Sequence, residues 1–388
     1  MASLAQHQGV FLVLLDLSSA FDTVSHDILL NRLEKDLGIQ GNVLLWFKSY
    51  LSDRTSRVCI DGQLSKPQQM KFGLPQGSIV GPLGFSLYVL PVGHIIKSFG
   101  LQYHMYADDV QLYSYFNPND HVSITSALNN LSSCIDALKI WMQNNMLKLN
   151  DDKTEFFVAV PAHFKHNVLP VSLNIGDKSI SPSDRVRNLG IIFDSQMSMS
   201  GHVNNLCSRL TYQLCNISRI RRFLYYDTCH LVVRALVLSR IDYGNGLLLG
   251  ANKSDIQRLQ RIQNWAAKLV CRSHKWDHAT PYLRELHWLS VDKRITFKVL
   301  MPVFKCLNKI SPCYLSASIS PYCPARASLR SASDTTLLAV PNTIKLLKSA
   351  ERRTFCYVAP RMRNELPRKI RECNSVSQIK KALKIYFF

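Results

Sequence analysis

Leu101 to Met105 alternates apolar and polar residues, Val110 to Tyr113 resumes an apolar pattern, and Ala107-Asp108-Asp109 stands between them. Two strand-like runs joined by so short a link predict a β-hairpin with two carboxylates at its tip. A third carboxylate, Asp16, closes the apolar run Phe11 to Leu15, which reads as a central strand. Acids that interrupt buried strands are costly unless a cation or hydrogen bonds satisfy them. If the strand ending at Asp16 lies beside the hairpin, three carboxylates converge on one sheet edge. Hard oxygen ligands of that kind suit Mg²⁺, with Mn²⁺ as the alternative, because such an ion keeps waters and accepts phosphate oxygens. Two such ions about 3.5–4 Å apart stabilise the attacking and leaving oxygens of an in-line phosphoryl displacement. An Asp-Asp pair alone is weak evidence, since most are turn or surface residues, so the neighbouring segments decide.

Ser25 is placed to cap a helix over His26 to Leu37, closed by Gly38. A second helix is expected over Asn42 to Leu51, and a strand over Arg57 to Ile60 ending in the turn Asp61-Gly62. After the Gly- and Pro-rich stretch Gly73 to Pro82, a third helix is expected through Phe85 to Val92. Ser123 to Met146 reads as a long amphipathic helix and Glu155 to Val160 as a closing strand. The order strand, helices, hairpin, helix, strand is that of a split βαβ, ferredoxin-like sheet (βαββαβ) in an α+β fold. Residues 165–200 read as a small β unit, residues from about 202 to 310 as basic helices, Ser311 to Asp334 as a linker, and the remainder as a last basic helical segment.

Charge divides the 388 residues sharply. Residues 1–200 hold 15 Lys+Arg against 17 Asp+Glu, a net of −2, whereas residues 201–388 hold 32 against 10, a net of +22. A basic half joined to a near-neutral half suggests a polyanion held by one part and worked on by the other. The plainer reading is a soluble basic surface. Eleven scattered cysteines, an odd number, read as reduced thiols of an intracellular protein, nuclear or cytoplasmic rather than secreted. No run of 18 apolar residues occurs, and Gly9 to Ala20 lacks the basic start of a signal peptide. Cys271, His274, His278 and His287 lack a second cysteine at ligand distance, so no zinc site is expected there.

Five segments carry a family resemblance. Leu15-Asp16-Leu17-Ser18-Ser19-Ala20-Phe21-Asp22 resembles the first palm motif of reverse transcriptases, Gly73-Leu74-Pro75-Gln76-Gly77-Ser78 the second, and Tyr106-Ala107-Asp108-Asp109 the third. Leu149-Asn150-Asp151-Asp152-Lys153-Thr154-Glu155 resembles the fourth, and Asn188-Leu189-Gly190 through Asp194 the primer-grip region. They come in the family's order. The resemblance is to non-LTR (LINE-type, jockey-like) retrotransposon polymerases, and it continues through His287-Trp288-Leu289-Ser290-Val291 and Arg294-Ile295-Thr296-Phe297-Lys298. It thus covers nearly the whole chain and implies a palm over residues 1–200, a helical thumb over 201–310, and a linker with a basic C-terminal region over 311–388.

The activity implied is RNA-directed DNA synthesis from deoxynucleoside triphosphates on an RNA template with a DNA primer. Asp16 and Asp108 would bridge two metal ions, Asp109 would assist, and the Leu17 carbonyl would complete one shell. Phe21 stands at the steric gate, where a flat ring under the sugar leaves no room for a 2′-hydroxyl. Pro75, Gln76 and Gly77 would shape the nucleotide floor, Lys153 would serve the leaving pyrophosphate, and Tyr106 would pack beside the primer terminus. In the basic half, Arg219, Arg221 and Arg222, then Arg258, Arg261 and Lys268, fall at spacings that form helical stripes for phosphate contacts. Phe223, Tyr225, Tyr226 and Trp265 are interleaved with them. The plainer readings are core packing for these aromatics and for Phe21, and a solvated turn lysine for Lys153.

Two departures qualify the resemblance. Only about ten residues precede the first strand, so the fingers are expected to be largely missing and the chain to be an N-terminally truncated element copy. Arg363 stands where relatives often carry an aromatic before Asn-x-Leu-Pro. Because positioning supplies much of phosphoryl-transfer catalysis, the rival readings are a catalytically dead nucleic-acid-binding remnant and a relative repurposed for RNA splicing or scaffolding.

Overall fold

The computed structural model describes residues 8–161, 164–168, 170–176, 178–324, 336–341 and 354–388. The chain divides into two compact units between Val186 and Arg187.

The first unit is built on strand β1 (Gly9–Leu15), in which Phe11, Val13 and Leu15 alternate into the core. Helix α1 (His26–Lys35) follows, with Ser25 as its cap accepting from the Ile28 amide, and then α2 (Gly41–Leu51). Two short ladders come next: β2 (Thr55–Ser56) with β5 (Gln68–Gln69), and β3 (Cys59–Ile60) with β4 (Gln63–Leu64) around the Asp61-Gly62 turn. The single helix expected through Phe85 to Val92 is instead two, α3 (Gly81–Tyr88) and α4 (Leu90–Ser98). Pro91 explains the break: it has no amide to continue α3 and disfavours helical backbone just before it, but it fits the first turn of a new helix. The hairpin β6 (Gln102–Tyr106) and β7 (Asp109–Phe116), the long helix α5 (His121–Asn144) and β8 (Glu155–Ala159) complete the core.

These strands form one antiparallel sheet in the order β6-β7-β1-β8, the strand order of a split βαβ arrangement in an α+β unit. Helices cover one face. Phe11, Leu112 and Phe156 on the sheet, Leu29 and Leu33 of α1 and Leu131 and Leu138 of α5 are all buried in a single core. A polar knot pins this layer: buried Arg32 donates to the Tyr88 carbonyl and to Asn145 Oδ1 (2.7 Å), and the Tyr88 hydroxyl donates to the Asn145 carbonyl (2.7 Å). Beyond β8 come the short helix α6 (Lys165–Val168), the hairpin β9 (Leu173–Ile175) with β10 (Lys178–Ile180), and the hairpin β11 (Arg185–Asn188) with β12 (Ile191–Asp194), which carries the chain across the division.

The second unit is helical. Helix α7 (Ser200–Ile220) packs against α10 (Lys253–Cys271), burying Leu210 and Leu214 against Leu259, Ala266 and Val270. Between them lie α8 (Tyr226–Val233), a π-helical turn Arg234–Leu238 and α9 (Ser239–Asp242). After α11 (Thr280–Glu285), helix α12 (Val291–Leu307) joins the parts that composition separated at residue 310. Its Val299 and Val303 pack on Leu338 and Ala359, and its Leu300 and Phe304 on Leu366 and Leu383. Leu338, Ala359, Leu366 and Leu383, all beyond residue 310, are thus buried against α12, while residues 325–334 of the expected linker lie outside the described residues. A further short helix α13 (Cys313–Ser316) and helices α14 (Phe355–Asn364), α15 (Arg368–Arg371) and α16 (Val376–Phe387) end the chain. All eleven cysteines are free thiols, and among the described residues no helix is long and apolar enough to cross a membrane.

Candidate active site

Strand register brings the acids together. Leu15 of β1 pairs with Val110 of β7, so the next step along both chains sets Asp16 opposite Asp109. Tyr106 of β6 pairs with Asp109, which leaves Ala107-Asp108 as the two-residue turn. Ala107 takes the left-handed backbone such a tight turn requires, with φ +54°. For a residue with a Cβ that conformation costs about 1–2 kcal/mol, and strain of this kind gathers at functional sites. Leu15 and Val110 point into the core, and alternation sends Asp16 and Asp109 to the other face of the sheet, with the exposed Tyr106 beside them.

Like charges opposite one another on a sheet destabilise it, and the acids respond accordingly. Burial, then the charge of Asp108, then that of Asp16, push the Asp109 carboxyl above its ordinary value. Asp16 is held from the other side by the fourth motif. Its carbonyl accepts from the Asn150 amide (2.8 Å), and Ser18 donates to the Lys148 carbonyl (2.9 Å). These two bonds form the antiparallel bridge Leu17–Leu149 and leave the Leu17 carbonyl out of it. The Asp16 carboxylate itself meets Lys153 Nζ at 3.3 Å and accepts from Asn150 Nδ2 at 3.5 Å. Asn150 is a partner that the sequence reading quoted within its motif but gave no role.

The second motif is stitched to the first. Gly73 donates to the Val24 carbonyl and Leu74 to the Phe21 carbonyl, each at 2.8 Å. The Gly73 carbonyl accepts from His26 Nε2 and Arg54 Nη1, both at 2.9 Å. Gln76 Nε2 donates to Asp22 Oδ1 (2.9 Å), and Phe21 stacks on Phe85 with ring centroids 4.8 Å apart. Phe21 is thus a half-buried ring seated on the core, at the level of Gln76 and Asp22. Pro75 accepts from the Ser78 amide (3.2 Å), while Gly77, at φ +81°, lies in open space. Gly73 is different: it has φ +88°, and a Cβ there would stand 3.0 Å from the Asp22 carbonyl oxygen. Gly73→Ala is therefore expected to cost about 2 kcal/mol or more, against about 1 kcal/mol for Gly77→Ala, which bears only the backbone penalty. Paired denaturation curves of the two variants check this.

Among the described residues, no three of His, Cys, Asp and Glu are gathered as a group that could hold a metal ion. The donor chemistry nonetheless fits a hard cation. The facing side chains are all carboxylates, burial and then their mutual repulsion raise Asp109, and Asp16 has drawn in the ammonium of the largely exposed Lys153 as a counter-charge.

Residues 2–193 match the family model described as reverse transcriptase (RNA-dependent DNA polymerase). A probable RNA-directed DNA polymerase from transposon BS of Drosophila melanogaster is 26% identical over 73% of this chain and 31% of that protein. The RNA-directed DNA polymerase from mobile element jockey of the same organism is 29% identical over 64% of this chain and 27% of that protein. Residues 2–193 are a reverse transcriptase domain of the LINE type. The chain spans about a third or less of the length of these curated relatives. Among solved structures, an apo telomerase from Candida tropicalis overlaps with a TM-score of 0.37 at 12% identity, over 74% of this chain and 47% of that one.

The cations expected to hold nucleic acid for such a domain divide on inspection. Arg219, Arg222 and Arg261 are exposed, and Arg222 lies over the Phe223 ring at 4.6 Å. Arg258 bonds Asn204 and pairs with Asp255 (3.6 Å), and Lys268 donates to the Lys275 carbonyl (2.7 Å). Arg221 is a correction. It is buried, and its Nη1, Nε and Nη2 donate to the carbonyls of Leu224, Leu269 and Val270, each at 2.7 Å. Leu269 and Val270 lie in the last turn of α10, where carbonyls lack helical partners, so this guanidinium serves the fold rather than a ligand. Of the interleaved aromatics, Phe223 and Tyr225 are exposed, whereas Trp265 packs against the helical core.

Proposed function

We propose that residues 1–200 are the palm, with its primer-grip region, of an RNA-directed DNA polymerase and that the chain joins deoxynucleotides to a DNA primer along an RNA template, with residues 201–310 as thumb and 311–388 as linker and basic C-terminal region. The observation that carries this is the register that faces Asp16 with Asp109 and sets Asp108 beside them. Asp16, Asp108 and the Leu17 carbonyl would hold two Mg²⁺ ions, or Mn²⁺, with Asp109 assisting. Such ions supply Lewis-acid activation of the primer 3′-oxygen and neutralise the departing pyrophosphate.

The chain's own residues do the rest. Phe21, held by Phe85, places a flat ring where the sugar would lie and excludes a 2′-hydroxyl. Gln76, fixed by Asp22, and the Gly77 backbone form the floor under the incoming base, and Pro75 stiffens their turn. Lys153, paired with Asp16 at 3.3 Å, stands where its ammonium would protonate or stabilise the leaving group once that carboxylate is neutralised by other charge. Tyr106 presents an exposed ring at the hairpin edge for the primer terminus.

The test is primer extension on an RNA template with deoxynucleoside triphosphates and Mg²⁺, comparing the unaltered chain with Asp108→Ala/Asp109→Ala. Incorporation that disappears in the double variant is the expected result. Template binding without incorporation from either protein would overturn the reading in favour of a nucleic-acid-binding remnant.

A further inference from the structure

The helical unit contains a cavity of about 860 Å³ that the polymerase reading does not use. Its volume lies within the range of small-molecule sites. One wall is the π-helical turn Arg234–Leu238, a wider coil than the α-helix and one that recurs at functional sites. Another is the segment His287 to Leu289, entered through a left-handed His287 (φ +53°) that costs about 1–2 kcal/mol to hold.

Three features indicate what the cavity accepts. First, Arg234, Lys298 and Lys384 line it, are exposed, and have no acidic partner among the described residues. The one acidic side chain in the lining, Asp242, is already neutralised by Arg294 at 2.7 Å, and the three cations outnumber the single terminal carboxylate on Phe388. The cavity therefore presents uncompensated positive charge. Second, its remaining wall is flat and apolar: Phe297 lines it, and Phe388 meets the His287 ring edge-on at 6.0 Å. Third, the His230 ring, stacked on buried Trp288 at 5.8 Å, adds a further flat face to the lining.

Unpaired cations and aromatic surface around one cavity together describe an anionic ligand that carries a flat ring. We propose that this cavity is a second nucleotide-recognition site, taking one nucleoside phosphate, free or as a unit of a single strand, with its phosphate on Arg234, Lys298 and Lys384 and its base against Phe297, His287 and Phe388. The site needs no metal and lies in a different unit from the carboxylates, so it stands independently of the polymerase reading.

The test uses the full chain in EDTA, which silences any metal-dependent site, and reads anisotropy of a labelled single-stranded RNA of about 10 nucleotides. Arg234→Gln/Lys298→Gln/Lys384→Gln is expected to weaken binding about tenfold or more and to reduce the log-log salt slope by about 2. Arg209→Gln/Lys253→Gln/Lys305→Gln removes the same charge from exposed positions outside the lining and is expected to change affinity less than about threefold, the remainder being diffuse attraction. Equal losses from the two triples would overturn the site. Ala235→Trp, at an exposed lining position, obstructs the cavity with an indole and leaves every charge in place. It is expected to weaken binding as much as the first triple, and unchanged binding would overturn the cavity as the seat. Adenosine monophosphate added as competitor separates the two sources: displacement that Ala235→Trp abolishes assigns a free nucleotide, and its absence, with strand binding still sensitive to Ala235→Trp, assigns a nucleotide within a strand.

Discussion

Asp109→Asn is expected to raise the stability of the carboxylate-bearing unit near neutral pH while lowering nucleotide incorporation about a hundred- to a thousandfold. The stability gain follows from the raised Asp109 carboxyl. A group whose folded-state pKa lies above its unfolded value holds its proton longer in the folded chain, so stability is full below the ordinary carboxylate value of 3.8 and falls as pH rises through the raised one. Asparagine cannot ionise and escapes that loss. In EDTA, denaturation midpoints of variant and unaltered chain are expected to coincide at pH about 3 and to separate in the variant's favour by pH 7. A variant less stable at pH 7 would show that neither burial nor the neighbouring acids disfavour the ionised Asp109. The catalytic loss follows because several kcal/mol of charge stabilisation depend on those acids if they hold cations. Added Mg²⁺ is then expected to stabilise the unaltered chain more than the variant. Gains in opposite directions are the mark of a site built for a ligand at the cost of the fold.

Arg221→Ala is expected to destabilise the helical unit by about 3–5 kcal/mol, since it strands carbonyls that now receive charge-assisted hydrogen bonds. Arg221→Lys recovers little, because one ammonium cannot span three acceptors. The neighbouring Arg222→Ala is expected to leave stability within about 0.5 kcal/mol and to lower the salt slope of RNA binding by about 0.7 to 0.9. Denaturation midpoints and salt titrations on both variants check the pair. A small stability change for Arg221→Ala together with a reduced salt slope would return that residue to the ligand-facing set.

The contrast between these two arginines shows what was legible in the sequence. The hairpin was legible because Leu101 to Met105 alternates and Val110 to Tyr113 resumes an apolar pattern, whereas the unbroken apolar run Phe11 to Leu15 marked a strand without showing that Phe11, Val13 and Leu15 are its buried side. The Ser25 cap was readable because its signal is local. The burial of Arg221 was not, because the carbonyls it meets lie 48 and 49 residues away. Arg32 is similar: its partner Asn145 is 113 residues away, and its periodicity shows a helix face but not the knot behind it. The break before Pro91 carried a local signal that the apolar run through Phe85 to Val92 overrode. Residues 201–388 read as two parts because composition changes near residue 310, while packing along α12 does not.

The place of β1 in the sheet has a consequence for synthesis on the ribosome. Of the four strands in its sheet it is made before the others and sits between the two made last: Gly9 pairs with Phe116, and Leu14 with Glu155. Until Ala159 has left the exit tunnel, the apolar strand that leads to Asp16 has at least one bare edge, and Asp16 lacks the Lys148–Asn150 segment that grips it. Contacts of such long sequence separation form slowly. A nascent chain halted anywhere before Glu155 therefore carries the first motif without the strand that closes its sheet, with the apolar segment Phe11 to Leu15 open to pairing with other chains.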